Sequence, residues 1–175
     1  MNLDGSVFSL ISLRSFSSIW YWLVLAVSWS AITHNPLGVP FDMVMRARRQ
    51  GGAAMQDLES MVALQLRRRQ AILNATGLIM VGVTAALLSA IAILGFGYGI
   101  EIAQALTLLL VPLTLVGVMR IRLMQRLLTE GCAGEALCKR LSWHRTGVQA
   151  LGLTAILVTA LWGMWFNLSI RTLGG

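Results

Sequence analysis

Residues 71–95 read AILNATGLIMVGVTAALLSAIAILG, and none of these side chains is charged. An α-helix rises about 1.5 Å per residue, so roughly 20 residues of this kind cross the roughly 30 Å hydrocarbon core of a bilayer. The apolar residues surround the helix axis on all sides, whereas a helix on the surface of a soluble protein has a single apolar stripe. The stretch therefore predicts a membrane-spanning helix.

Three more apolar stretches have the same character, at residues 16–33, 102–119 and 147–168. The composition agrees, because 57% of the 175 residues are hydrophobic and 12% are charged, whereas a soluble domain has about 25% charged residues. No small-residue cleavage site follows the first stretch, so we expect it to remain as a span. The sequence predicts an all-α integral membrane protein with four transmembrane helices in one domain, residues 1–175.

The basic residues predict the orientation of these spans. Twelve of the 14 Lys and Arg residues lie between spans, at residues 34–70 and 120–146. Loops rich in Lys and Arg remain on the cytoplasmic side of a bacterial inner membrane. We therefore expect two cytoplasmic loops and two periplasmic termini. This distribution also explains the net charge of +7 without nucleic-acid binding.

Aromatic side chains concentrate at the opposite, periplasmic end of the predicted spans. Their amphipathic rings prefer the level of the lipid headgroups, so they are expected to anchor the helices there. The main candidates are Trp20, Trp22, Trp162 and Trp165.

The first predicted loop begins with two prolines that cannot continue a helix. Pro40 suits the start of a new helix, and residues 41–49 place Asp42, Arg46 and Arg49 on one face at helical spacing. This pattern predicts an interfacial amphipathic helix with a basic face. Its arginines either meet anionic lipid headgroups or form a docking surface for a partner protein. The anchoring or docking candidates are Pro36, Pro40, Phe41, Arg46, Arg48 and Arg49.

A second amphipathic stretch follows the helix-breaking pair Gly51-Gly52 and precedes the apolar residues 71–95. Its apolar residues include Leu58 and Val62. We expect it to run directly into the second span as one long helix.

Small residues recur at helical spacing in two spans. Such faces let helix backbones approach closely, although the pattern also occurs by chance in spans rich in Ala and Gly. The candidates for helix packing are Gly82, Ala86 and Ala90 in the second span, and Ala155, Thr159 and Gly163 in the fourth.

The centres of the four predicted spans contain no Asp, Glu, Lys, Arg or His. Transporters and proton pumps usually keep such residues there, so the sequence argues against translocation by this chain alone. Glu101 and Gln104 lie at the outer mouth of the third span, where a carboxylate at a helix start is stabilised by the helix dipole. No phosphate loop, nucleophile elbow or metal-binding helix motif is present. We therefore predict that the chain is not an enzyme.

Two histidines and two cysteines are the remaining candidates for chemistry. His34 and His144 lie near the cytoplasmic boundary and are weak candidates for haem or pigment ligands. Histidines at this depth more often cap helices or meet headgroups. Cys132 and Cys138 have a spacing and number unlike those of zinc or iron–sulfur sites, so no metal site is predicted. We expect both thiols to be free in a reducing compartment.

Residues 29–44 read WSAITHNPLGVPFDMV and are followed by Arg46-Ala47-Arg48-Arg49. Together with the early residues 1–8, MNLDGSVF, and 14–17, RSFS, this pattern resembles a family of small inner-membrane proteins of purple alphaproteobacteria. The resemblance extends over all four predicted spans. Members are often labelled as a component of the iron–sulfur assembly complex. A similar four-helix polypeptide is an accessory subunit of a photosynthetic reaction-centre and light-harvesting core complex.

The resemblance implies a location in the photosynthetic or intracytoplasmic membrane, with reaction-centre and light-harvesting polypeptides and membrane lipids as partners. The expected function is that of a non-catalytic accessory subunit that shapes ring closure or quinone access. No cofactor of its own is expected, but the resemblance places it near the bacteriochlorophyll, carotenoid or quinone of the host complex. Two alternatives are a small four-helix subunit of a secondary transporter and a b-type cytochrome.

Overall fold

A computed structural model describes residues 19–34, 38–131 and 133–173. The expectations for Pro36, Cys132 and both termini lie outside these described residues. Within them the chain is helical almost throughout. The helices are α1 (Ile19–His34), α2 (Phe41–Gln50), α3 (Gly52–Ala92), α4 (Glu101–Glu130) and α5 (Gly134–Leu173).

Three of these helices are long and apolar enough to cross a membrane, namely α3 with the π-helical turn that follows it, α4 and α5. Helix α1 is also apolar, but its 16 described residues extend only about 24 Å at the helical rise. The predicted all-helical class is therefore confirmed for the described residues, and three helices are compatible with membrane spans.

Helix α3 joins the second amphipathic stretch to the apolar stretch in 41 continuous residues, as the sequence predicts. Gly51 separates it from α2, and the φ angles of Gly51 and Gly52 are +60° and +48°. Side chains other than glycine rarely adopt this left-handed conformation, so the glycine pair sets the corner between the two helices. The π-helical turn Ile93–Gly97 then ends α3, and α4 begins at Glu101, as expected of a helix-start carboxylate.

The end of the molecule that carries most of the cations contains its own apolar core. The sequence predicts a loop at residues 120–146. In the structure most of this segment is helical, since α4 continues to Glu130 and α5 begins at Gly134. These extensions pack against α2 and the first half of α3. We call this the basic-end core; its members include Val44, Ala47, Leu58, Val62, Leu127 and Leu141.

The basic-end core shows what the apolar face of α2 packs against. Val44 and Ala47 are 1% and 0% exposed, so the apolar face of α2 packs on protein and not on lipid. Asp42, Arg46 and Arg49 occupy the exposed face, as their spacing predicts. The amphipathic pattern was read correctly, but an amphipathic helix has the same pattern whether its apolar face meets lipid or other helices.

A second apolar core holds α1, α4 and α5 together, and we call it the α1–α4–α5 core. Leu25 and Trp29 from α1 pack there with Leu109 and Val116 from α4 and Val148 from α5. The apolar half of α3 does not join this core. No residue from 67 to 92 is buried, and α3 contacts α4 closely near Leu66 and near Gly95.

Candidate functional site

At the end of the molecule opposite the basic-end core, Gln104 ties three elements together. Its Nε2 donates a hydrogen bond to the carbonyl of Gly95 at 2.9 Å, and its Oε1 accepts one from the indole of Trp162 at 3.2 Å. A Cβ atom at Gly95 would lie 2.7 Å from the backbone nitrogen of Gln104, so a glycine is needed for this approach. Gln104 is buried with both ends of its amide paired, which gives it a structural role.

Aromatic rings surround this junction, and we call this end of the molecule the aromatic end. Trp162 packs edge-on against Phe96 at 5.4 Å and lies 5.1 Å from Trp165. Tyr21 donates a hydrogen bond to the carbonyl of Ala105, which places the start of α1 at the same end. The predicted anchors therefore share one end, with Trp20 71% exposed and Trp22 half-buried beside Tyr21.

Of the anchoring candidates in and next to α2, one contacts another helix and the others are exposed to solvent. The ring of Phe41 lies under the guanidinium of Arg145, 3.8 Å from its centroid, so Phe41 joins α2 to α5. Arg46 pairs with Asp42 at 3.4 Å on the exposed face, where such a pair contributes little to stability. Arg48 and Arg49 are also exposed, as is Pro40, which precedes the first residue of α2.

The two small-residue faces have different surroundings. Ala155, Thr159 and Gly163 are buried in the helix bundle. The Thr159 hydroxyl donates to the Ala155 carbonyl at 2.8 Å and is also hydrogen-bonded to the side chain of Tyr21 in α1.

On α3, by contrast, Gly82, Ala86 and Ala90 are all exposed. A Cβ atom at Gly82 would meet no heavy atom of the described residues within 4 Å. The structure places the first face in contact with other helices and leaves the second one open.

His144 is buried at the basic end, outside the apolar stretch 147–168, and its Nε2 has no hydrogen-bond partner among the described residues. Burial lowers the pKa of its imidazole below the usual range, and the nearby charge of Arg120 lowers it further. The side chain of His34 lies outside the described residues, so paired ligation by the two histidines stays untested.

Cys138 is a buried free thiol whose sulfur lies 3.9 Å from that of Met55, and burial raises its pKa. The described residues contain no group of three or more His, Cys, Asp or Glu side chains placed to hold a metal ion. Cys138 belongs to the basic-end core, which makes it a packing residue.

Arg68, Arg69 and Arg120 are among the twelve basic residues that predict the orientation of the spans, and the sequence predicts no further role for them. The structure brings them together at a cavity of about 450 Å³ between α3 and α4. The sequence could have predicted this proximity. Arg68 and Arg69 precede one apolar stretch and Arg120 follows the next, and two antiparallel helices joined by a short turn place these residues at the same depth.

No family model, curated protein or solved structure matches the chain. The resemblance to alphaproteobacterial inner-membrane proteins therefore stays a prediction.

Proposed function

We propose that the chain is a non-catalytic accessory subunit of a bioenergetic membrane complex, namely the photosynthetic reaction-centre and light-harvesting core. The observation that carries this proposal is an uncovered face of small residues on the open apolar half of α3. In the most apolar 18 residues of this helix, 0% are buried inside the molecule. Helices α4 and α5 bury larger shares of their corresponding windows, 39% and 28%.

Lipid alone satisfies the apolar character of a span, so exposure by itself is no reason for a partner. Helices in a membrane associate through close van der Waals packing, which small residues permit. Gly82, Ala86 and Ala90 form such a face, and the described part of the chain leaves it uncovered. The related face on α5 is covered by the chain's own helices. This contrast supports a transmembrane helix of another subunit as the occupant of the α3 face.

The proposed topology keeps the four spans that the sequence predicts. The basic-end core then lies in the cytoplasm and the aromatic end faces the periplasm, with both termini there. Two features support this orientation: twelve of the 14 cations lie in the two connecting segments, and the aromatic rings gather at the other end.

In this arrangement the protein would sit beside the pigment–protein ring and shape its closure or the path of quinone. It would touch the bacteriochlorophyll, carotenoid or quinone of the host complex without a cofactor of its own. The buried pairing of Gln104 and the packing of Cys138 leave both residues in structural roles, which is compatible with a non-catalytic subunit.

The test is purification of the tagged protein from its native membrane in mild detergent, followed by identification of the co-purifying polypeptides and pigments. We expect reaction-centre and light-harvesting polypeptides with the wild-type chain. The double variant Gly82→Leu and Ala86→Leu should lose them, because bulky side chains separate closely packed backbones. Thr84→Leu is the matched control, since residue 84 is exposed on the opposite side of α3 and should leave association unchanged.

Three outcomes would contradict the proposal. A chain that purifies alone in every mild detergent has no stable partner. Co-purification with a large transport subunit would identify the transporter alternative, and a haem spectrum from the isolated chain would identify the cytochrome alternative.

A further inference from the structure

The cavity between α3 and α4 is lined by cations at one end and mainly by apolar residues along the rest of its length. Arg68 and Arg69 from α3 and Arg120 from α4 line its basic end, and Ile72, Met80 and Gly117 are among the apolar residues that line the rest. Apart from the backbone of its own helix and its chain neighbours, no heavy atom of the described residues lies within 4 Å of a Cβ built at Gly117. The helices are therefore separated here by open space and not by interlocking side chains.

The three arginines have no acidic partner in the described part of the chain. The ion pairs found there join Arg46 to Asp42 and Arg140 to Glu130. The Nε atoms of Arg69 and Arg120 are shielded from solvent and lack a hydrogen-bond partner among the described residues. Shielded charged donors without a partner are unfavourable, so an anion in the cavity would stabilise Arg69 and Arg120.

The surroundings of Arg120 strengthen this conclusion. One of its terminal nitrogens donates to the carbonyl of Ile32 at 3.3 Å, which fixes the guanidinium at the cavity. Arg69 lines the same cavity as Arg120, so the two positive charges repel each other. Guanidinium groups match the geometry of phosphate oxygens, and a phosphate between the two would replace repulsion by attraction.

The depth of the site distinguishes a lipid from a free anion. Arg68 and Arg69 precede the apolar residues 71–92, separated from them by Gln70, and Arg120 directly follows the apolar residues 102–119. The cations therefore lie at the level of headgroups, while Ile72 to Met80 extends about 12 Å along the helix axis into the hydrocarbon. A free phosphate would leave this apolar wall unused, whereas a glycerophospholipid covers both parts.

We infer that the cavity is a binding site for an anionic glycerophospholipid. Its phosphate meets Arg68, Arg69 and Arg120, and an acyl chain lies in the gap beside Met80 and Gly117. Basic pockets between membrane helices bind anionic headgroups in this manner. The site is independent of the proposed partner helix, because it is defined by charges and open space within one chain.

The test is a lipid titration of the delipidated full-length protein in detergent, measured by native mass spectrometry. We expect phosphatidylglycerol to bind at least fivefold more tightly than phosphatidylcholine. Arg68→Gln should weaken phosphatidylglycerol binding about fivefold, which corresponds to about 1 kcal/mol for one charge at a membrane surface. Arg67→Gln is the matched control, since it removes the neighbouring exposed charge outside the lining of the cavity.

A second variant tests the apolar wall without changing the charge. Gly117→Leu places a side chain in open space, so the protein should fold normally while phosphatidylglycerol binding falls. Equal binding of phosphatidylglycerol and phosphatidylcholine would overturn the site. Equal losses in Arg67→Gln and Arg68→Gln would reduce it to general surface attraction. Displacement of the lipid by equimolar inorganic phosphate would show a free-anion site instead.

Discussion

Helices α3 and α5 carry similar stripes of small residues, yet only the stripe on α5 is covered. Near it, Gly152 receives the indole of Trp29, and a Cβ atom at this glycine would lie 2.8 Å from the ring. The stripe on α3 at Gly82, Ala86 and Ala90 faces open space. The spacing of small residues shows that a helix can be approached closely, but not which helix approaches it.

The difference arises from what lies opposite each stripe. Helix α1 supplies Trp29 and Leu25 to the α1–α4–α5 core, so large side chains fill the space that small ones leave. Helix α3 meets α4 at Leu66 and Gly95, on either side of an open stretch. One part of the molecule is therefore packed internally, and the other is held at its ends.

The largest effect on stability is expected at Gly95, where the end of α3 contacts α4. Gly95→Ala places a Cβ 2.7 Å from a backbone nitrogen of α4, and backbone cannot move aside as a flexible side chain can. We expect a loss of about 3 kcal/mol in the free energy of unfolding, measured by tryptophan fluorescence during denaturation in mixed micelles. Gly97→Ala is the control, because its nearest neighbour is a side-chain carbon of Ile93 at 3.7 Å. Similar losses in both variants would mean that this contact does not hold α3.

The next effect compares the two stripes directly. Gly152→Ala should cost about 2 kcal/mol, because the indole of Trp29 must shift to admit the new Cβ. Gly82→Ala should be neutral or stabilise α3 by up to about 1 kcal/mol, since alanine favours a helix and nothing obstructs it. Thermal unfolding in one detergent measures both. Opposite signs would confirm the contrast, and a loss at Gly82 would show that α3 is packed in solution.

The smallest effect is expected in the pH dependence of stability, through His144 at the basic end. The pKa of His144 is lowered by burial, so the unfolded chain binds its proton more readily than the folded chain. Stability should therefore fall as the pH decreases below about 6.5 toward the folded pKa, by at most about 1.4 kcal/mol per pH unit. His144→Gln should flatten this dependence, measured as the unfolding midpoint between pH 7.5 and 5.5. An unchanged slope would place the titration at another group.

Much of the helical framework could be predicted from local pattern. The spans at 71–95, 102–119 and 147–168, the corner at Gly51-Gly52 and the join within α3 all follow from apolar runs, helix breakers and helical period. The residues that make these elements are neighbours in sequence, so the sequence carries this information directly.

The pairing of the elements could not be read in the same way. The apolar face of α2 fits lipid or protein equally well, and only the position of Leu127 and Leu141 beside it shows that protein covers it. The cavity with Arg68, Arg69 and Arg120 likewise depends on how far α3 and α4 separate. Such distances are set by packing between segments that are remote in sequence. The helical spacing of apolar residues within one segment does not contain this information.

The attachment of α3 near Leu66 and near Gly95 also determines how molecules reach the gap between them. Helices α3 and α4 are in contact at both ends of this gap, and in the proposed orientation its sides face the hydrocarbon. A lipid would then enter laterally, within the plane of the membrane, at a rate that follows the two-dimensional diffusion of lipids. A water-soluble competitor, however concentrated, would meet only the arginine rim.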